Sequence, residues 1–448
     1  MAKLSETTAG IKGSSSLLGQ LFKLSDWNTS VRTEVLAGLT TFVTMAYVLA
    51  VVPSTLGAAG VPKGPITVSL ILMIAVTTIA MGLYTNRPFA LAPGMGSVAF
   101  VAYTLVLGNK IPWQTAMGMV FISGTVFVLL TIFGLRQLIA SLIPVSIKLA
   151  IGSGVGLFLA LLGFKNAGLV VANPKTNVLV LGKLADPGVM LALIGLVICA
   201  TFVALNIRGH LLWGILLTTI IGIPMGITKV PSSLFSLPTG ISEVAFKLDI
   251  AGALRMAYFP FIFTFFTSDF FSTLGTVLAV GAKGGMMDKD GNFPEIDKPF
   301  LVDAASTVLG ALFGQPVMTT YVESAAGVEA GGRTGLTAVS TGVFFLFTLF
   351  LTPLALMIPT QATAPALILI GLMMLSGIQK VNFNDFTEGF PAFMTIAVTI
   401  FTFNFGNGIS AGILAYILIK TLTGRIKEVH PGLFVLALPL LYYFWLIR

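Results

Sequence analysis

The chain has 448 residues, of which 56% are hydrophobic and only 9% charged, with a formal net charge of +8. A soluble protein carries roughly 25% charged residues, and a mean hydropathy of +0.98 with apolar runs along nearly the whole length identifies a polytopic α-helical membrane protein instead. The runs are continuous rather than alternating, which excludes a β-barrel, and in a membrane chain the positive charge reports basic loops rather than nucleic-acid binding.

Residues 1–32 form a polar amino-terminal segment without the apolar core of a signal peptide, so the first helix is expected to act as its own insertion signal. A crossing helix needs ~20 apolar residues. On that basis fourteen segments follow in order: 33–57, 66–84, 88–107, 114–134, 140–171, 187–207, 210–229, 251–283, 300–314, 317–330, 334–358, 363–378, 388–403 and 405–422. Segment 140–171 looks broken by glycines at IGSGVG, and residues 423–448 read as a short, proline-interrupted tail helix. Alternating the chain through fourteen spans puts lysines and arginines two to one on the side of the amino terminus. Both termini are therefore expected in the cytoplasm, with the protein in an inner or plasma membrane.

Spans 3 and 10 differ from ordinary helices. NRPFALAPGMGSVAF (86–100) and TTYVESAAGVEAGGRTG (319–335) are interrupted by glycine and proline and lie half a chain apart. Paired interruptions in corresponding halves point to a carrier's binding site, and halves of seven spans each must be inverted relative to one another. PFALAP and TTYVE favour short strands. Each strand would lead into a half-helix whose first N–H groups lack intrahelical acceptors, so backbone donors near Gly94, Met95, Gly96 and Ser97, and near Glu323, Ser324 and Ala325, become candidate ligand contacts. The plain alternative is that these glycines only let helices pack closely.

Acidic groups inside spans are costly, ~2.5–3.5 kcal/mol on insertion scales, and mark function by default. Asp269 lies in FIFTFFTSDFFSTLGT and Glu323 in the interrupted span 10, neither with a cation nearby in sequence. Both are candidates to accept hydrogen bonds from ligand N–H groups and to carry a coupled proton. One of the neighbouring phenylalanines, Phe270 among them, is expected to stack on a planar ligand. Asp303 opens the run after the polar insertion 283–299 and reads as a helix cap, whereas Glu329 and Arg333, four apart, read as a gating pair. The DKDGN turn lacks the glutamate that a calcium loop requires at its twelfth position. Cys199 sits in an apolar run, and metal, phosphate-loop and hydrolase motifs are missing from the sequence. An enzyme, a resident cofactor and ATP as driving force are therefore not expected.

The motifs NRPFALAPGMGxxAFxAYT, DFFxTLGT, GGMMDKDG, TTYVESAAGVEAGGRTGLTAV and FNDFTEGFPAF closely resemble the AzgA-like branch of the nucleobase–cation symporter 2 family, over residues 20 to 425. The resemblance implies a 7+7 inverted repeat with a core domain (33–134 and 251–358) and a gate domain (140–229 and 363–422). It also implies a homodimer, an elevator-like motion of core against gate, and uptake of purine bases with protons. The family's span 8 acid maps to Asp269 and its span 10 glutamate to Glu323. Two positions depart from the pattern: Ser272 replaces an aspartate and Val98 an asparagine. Those losses leave other cargoes open, namely a different planar or guanidino-like solute or a small anion. A channel remains the alternative from another class.

Overall fold

The computed structural model describes residues 17–134, 143–173, 178–288, 293–402 and 404–446. Most of the amino-terminal segment (1–16), the first residues of the expected span 5 (140–142) and most of the DKDGN turn (289–292) lie outside the described residues. Helical segments stand at all fourteen expected positions, and eight helices among the described residues are long and apolar enough to cross a membrane. Spans 1 to 4 are Val31–Ala58, Lys63–Thr85, the pair Leu91–Pro93 and Met95–Gly108, and Trp113–Ile132. Spans 5 to 7 are Val145–Asn166, Pro187–Ala204 and His210–Ile221. Spans 8 to 11 are Met256–Lys283, Asp297–Leu312, the pair Met318–Thr320 and Ser324–Glu329, and Gly335–Leu356. Spans 12 to 14 are Thr360–Lys380, Phe386–Thr402 and Phe405–Leu422. Pro431–Leu446 forms the tail helix and packs on spans 8 and 14.

Local chemistry sets many of the ends. Ser30 caps span 1 by accepting from the Thr33 N–H at 3.2 Å, and Asp186 caps span 6 with Pro187 in its first turn. Span 1 is not straight. Its helix runs Val31–Met45, tightens at Ala46 and Tyr47, and resumes at Val48–Ala58, so Tyr47 stands at the break. Pro53 lies about a turn and a half further on and removes a helical hydrogen bond there.

Four strands occur among the described residues. β1 (Leu91–Pro93) and β4 (Met318–Thr320) pair antiparallel in the middle of the bundle, with Leu91 opposite Thr320 and Pro93 opposite Met318. They are the two strands expected in spans 3 and 10. β2 (Val170–Ala172) and β3 (Leu179–Leu181) form an exposed hairpin between spans 5 and 6 that the composition did not suggest.

Span 5 corrects the reading of IGSGVG as a break. Its helix is continuous from Val145 to Asn166, and the glycines serve contact instead. A Cβ on Gly156 would stand 2.7 Å from the Gly371 carbonyl oxygen, and one on Gly371 would stand 2.4 Å from the Gly156 oxygen. Spans 5 and 12 thus meet backbone to backbone, as small residues allow in lipid. Gly371→Val is expected to lower the thermal midpoint of the detergent-purified protein, with an overpacking cost of ~1–3 kcal/mol. Gly152→Ala, where a Cβ would meet open space, should leave the midpoint unchanged.

Helix packing separates into two groups. Spans 1, 2, 4, 8, 9 and 11 pack with one another around the β1–β4 pair, while spans 5, 6, 7, 12, 13 and 14 form the second set. The groups touch closely where the span 3 half-helix meets span 5, since a Cβ on Gly96 would lie 2.7 Å from Val155 Cγ1.

Candidate transport site

A cavity of about 310 Å³ lies at the junction of the two interrupted spans and the two helix groups. The β1–β4 pair builds its floor. The Gly94 N–H donates to the Val317 carbonyl at 2.9 Å, and the Tyr321 N–H to the Ala90 carbonyl at 2.9 Å. The Tyr321 hydroxyl crosses to the Pro93 carbonyl at 2.6 Å. The Ser324 hydroxyl accepts from the Ala90 N–H at 3.0 Å, and Thr78 of span 2 accepts from the Leu91 N–H at 3.0 Å. Pro93, with no N–H to give, fits the edge of this short pair. Gly94 allows the close approach of the two spans, because a Cβ there would press on Thr319 at 3.1 Å.

Seven of the anticipated residues line the cavity: Gly94, Met95, Gly96, Ser97, Asp269, Ser272 and Glu323. The first-turn N–H groups of Met95, Gly96 and Ser97 have no intrahelical acceptors by construction. Glu323 immediately precedes the Ser324–Glu329 half-helix and accepts from the Tyr47 hydroxyl at 2.8 Å. Asp269 is only 1% exposed, and its Oδ2 accepts from Thr307 at 2.9 Å. The other four lie elsewhere. Phe270 is packed with Phe127, Phe266 and Phe300, and it is Phe271 that faces the cavity. On a helix, adjacent residues point about 100° apart, so the side that carries Asp269 and Ser272 takes only one of the two rings. Val98 is buried in the apolar core, so the missing asparagine leaves no gap in the cavity wall. Ser324 and Ala325 spend their N–H groups on the carbonyls of Tyr321 and Val322, at 3.2 and 2.9 Å. The donors expected at that end are therefore already occupied.

Asp303 is not a helix cap. The helix of span 9 starts at Asp297, which places Asp303 a turn and a half inside, fully buried, with Oδ1 accepting from Thr320 at 2.7 Å. Its side chain interacts with that of Asp269. Asp269 Oδ1 and Asp303 Oδ2 are each buried without a hydrogen-bond partner. Glu329 and Arg333 do not pair either. The helix ends at Glu329 and the chain reverses through Gly331 at φ 106°, so helical i,i+4 geometry never forms. Glu329 pairs with Lys283, and the Arg333 guanidinium donates to the Val328 and Gly332 carbonyls at 2.6 and 2.7 Å. The fully buried Glu34 of span 1, overlooked in the sequence, completes this corner by accepting from the N–H groups of Arg333 and Thr334 at 3.0 and 3.1 Å.

Tyr47, Tyr321 and Lys148 also line the cavity and were not anticipated as site residues. Lys148 did carry a signal, being a cation inside an apolar run.

A family profile described as a permease family matches residues 32–414. The adenine permease AdeQ of Escherichia coli is 40% identical over 96% of this chain and 97% of its own length. The guanine/hypoxanthine permease PbuO of Bacillus subtilis is 36% identical over 93% of this chain and 98% of its own length. Among solved structures, the transmembrane domain of a cyanobacterial bicarbonate transporter, BicA, superposes with a TM-score of 0.63 at 16% identity. That likeness covers 85% of this chain and 97% of the other and speaks to fold alone. With the profile spanning most of the chain and relatives matching nearly end to end, the chain belongs to the nucleobase–cation symporter 2 permeases of the xanthine/uracil type, in their AzgA-like branch.

Proposed function

We propose that the chain is a secondary carrier that takes up purine bases by proton symport. The observation that carries this reading is the cavity at the meeting of two interrupted spans, faced by the acids Glu323 and Asp269. Its size is that of a small-molecule site. Two acceptor groups on one wall suit the ring N–H donors of a base, and Phe271 offers a ring face for stacking. The names of the relatives, adenine and guanine/hypoxanthine permeases, support the same class of cargo. Two acids against one lysine in the lining disfavour an anion.

In this reading Asp269 and Asp303 hold one proton between them, since two carboxylates in contact resist double ionisation. The helix group around β1–β4 is the moving core, and the group containing spans 5 and 12 is the gate, with the core carrying the cargo past it in a homodimer. The end of the bundle that bears Arg87, Lys283, Arg333, Lys380 and Arg425 faces the cytoplasm of a cell or inner membrane.

The test uses purified protein and a panel of adenine, guanine, hypoxanthine, uracil, bicarbonate, a dicarboxylate and a guanidino compound. A ligand that binds only the folded state raises the thermal midpoint by mass action. The expected result is stabilisation by at least one purine with no response to the anions. In proteoliposomes, accumulation of that purine should then follow an imposed pH gradient. Stabilisation by an anion or guanidino compound alone would overturn the assignment of cargo, and accumulation indifferent to the gradient would overturn proton coupling.

A further inference from the structure

The two walls of the cavity differ in chemistry. The wall formed by spans 3, 8 and 10 carries the acids and several hydroxyls, whereas spans 5 and 12 contribute Lys148, Ile151, Gly152, Val155, Ile370 and Met374. Lys148 is thus the one polar side chain that the second wall presents among the described lining residues. Its position is built. The ammonium sits 4.9 Å from the centroid of the Phe271 ring, reaching across from one helix group to the other. Two residues earlier, Ser146 donates to Glu388 at 2.6 Å, and Glu388 pairs at 2.8 Å with the fully buried Lys420, which fixes the first turn of span 5.

We infer that Lys148 is the specificity-determining residue of this cavity and selects 6-oxopurines over 6-aminopurines. The inference rests on the nucleobase reading above. Carboxylates on one wall take a base by an N–H edge, so the opposite edge of the ring turns toward span 5. There it meets an ammonium, which has three donors and no acceptor. An exocyclic oxygen at that edge accepts a charge-assisted hydrogen bond, while an exocyclic amino group sets donor against donor. Sites built around such a bond discriminate strongly against the analogue that cannot make it. Hypoxanthine and adenine share ring shape and differ at position 6 and in the proton on the adjacent nitrogen, so the pair isolates the effect. The relatives divide between adenine and guanine/hypoxanthine permeases at 40% and 36% identity, too close for overall similarity to decide.

The experiment is a calorimetric titration of the full chain in detergent with hypoxanthine and adenine, on the wild type, Lys148→Met and Lys148→Gln. Ligand-free unfolding of each variant is recorded alongside. The wild type should bind hypoxanthine at least about tenfold more tightly than adenine, the size of one charge-assisted hydrogen bond. Lys148→Met should weaken hypoxanthine by roughly tenfold or more and leave adenine unchanged or improved. Lys148→Gln, which offers both a donor and an acceptor, should bring the two bases within about threefold of one another. A wild type that binds adenine as well as hypoxanthine would overturn the inference. Equal weakening of both bases would do the same, since it would mark Lys148 as merely shaping the cavity through Phe271. Binding of no base by a folded wild type that responds to another solute would sink the nucleobase reading and this inference with it. Base binding indifferent to Lys148 would sink only the inference.

Discussion

Glu323→Gln is expected to reduce purine affinity by on the order of a hundredfold, measured as loss of ligand-induced thermal stabilisation. Glu323 faces the cavity and already accepts one hydrogen bond, from Tyr47 at 2.8 Å. Its remaining lone pairs are, with those of Asp269, the carboxylate acceptors on that wall. Glutamine keeps the size of the side chain but loses the charge, and its amide nitrogen presents donors where a ring N–H must be accepted. A charge-assisted hydrogen bond contributes ~1.5–3 kcal/mol, and leaving its partner unpaired in a dry site adds to the loss. Tyr47→Phe separates orientation from charge. It removes one neutral donor and frees the carboxylate to turn, so a drop of about tenfold or less is expected. Wild-type affinity in Glu323→Gln would refute the placement of the ligand.

The second large effect concerns Asp303, which is absent from the cavity lining but interacts with Asp269, which is part of it. Asparagine at this position can still accept from Thr320 and can offer an amide N–H toward Asp269, so fold and binding should survive. What it cannot do is release a proton. In proteoliposomes Asp303→Asn should exchange external for internal purine at close to the normal rate but fail to accumulate it under a pH gradient. Asp303→Ala should instead lose stability, about 1–3 kcal/mol, because the buried Thr320 hydroxyl is left without its acceptor. Normal accumulation by Asp303→Asn would remove Asp303 from the coupling machinery.

The architecture and seven residues of the candidate cavity's lining were readable from residue types. Fourteen apolar runs, the paired interruptions, and the acids at 269 and 323 follow from the rule that hydrocarbon tolerates neither bare backbone nor idle charge. The misreadings share one cause: spacing along the chain was treated as spacing in space. Asp303 looked like a cap because the apolar run begins at Phe300, but the helix starts at Asp297, and those three residues carry Asp303 into the interior. Glu329 and Arg333 looked paired because they are four apart, though the helix between them has already ended. IGSGVG looked like a break because the partner glycine, Gly371, lies more than two hundred residues downstream in another span. Nothing near Lys148 in the chain shows that it lines the same cavity as Phe271, whose ring lies 4.9 Å from its ammonium, and the acids of spans 8 and 10. Such contacts between distant segments leave no local trace.

The short pairing of β1 with β4, braced by the bond from Tyr321 to Pro93, has a consequence for energetics. Groups from both halves of the chain are riveted into one rigid cradle, so a solute would be carried with its principal contacts intact rather than passed from hand to hand. A carrier of that kind holds its cargo with nearly equal strength whichever side of the bilayer it faces. If the second helix group slides past that cradle as proposed, any asymmetry between import and export comes from that group, and among the described lining residues Lys148 is the polar side chain that spans 5 and 12 present.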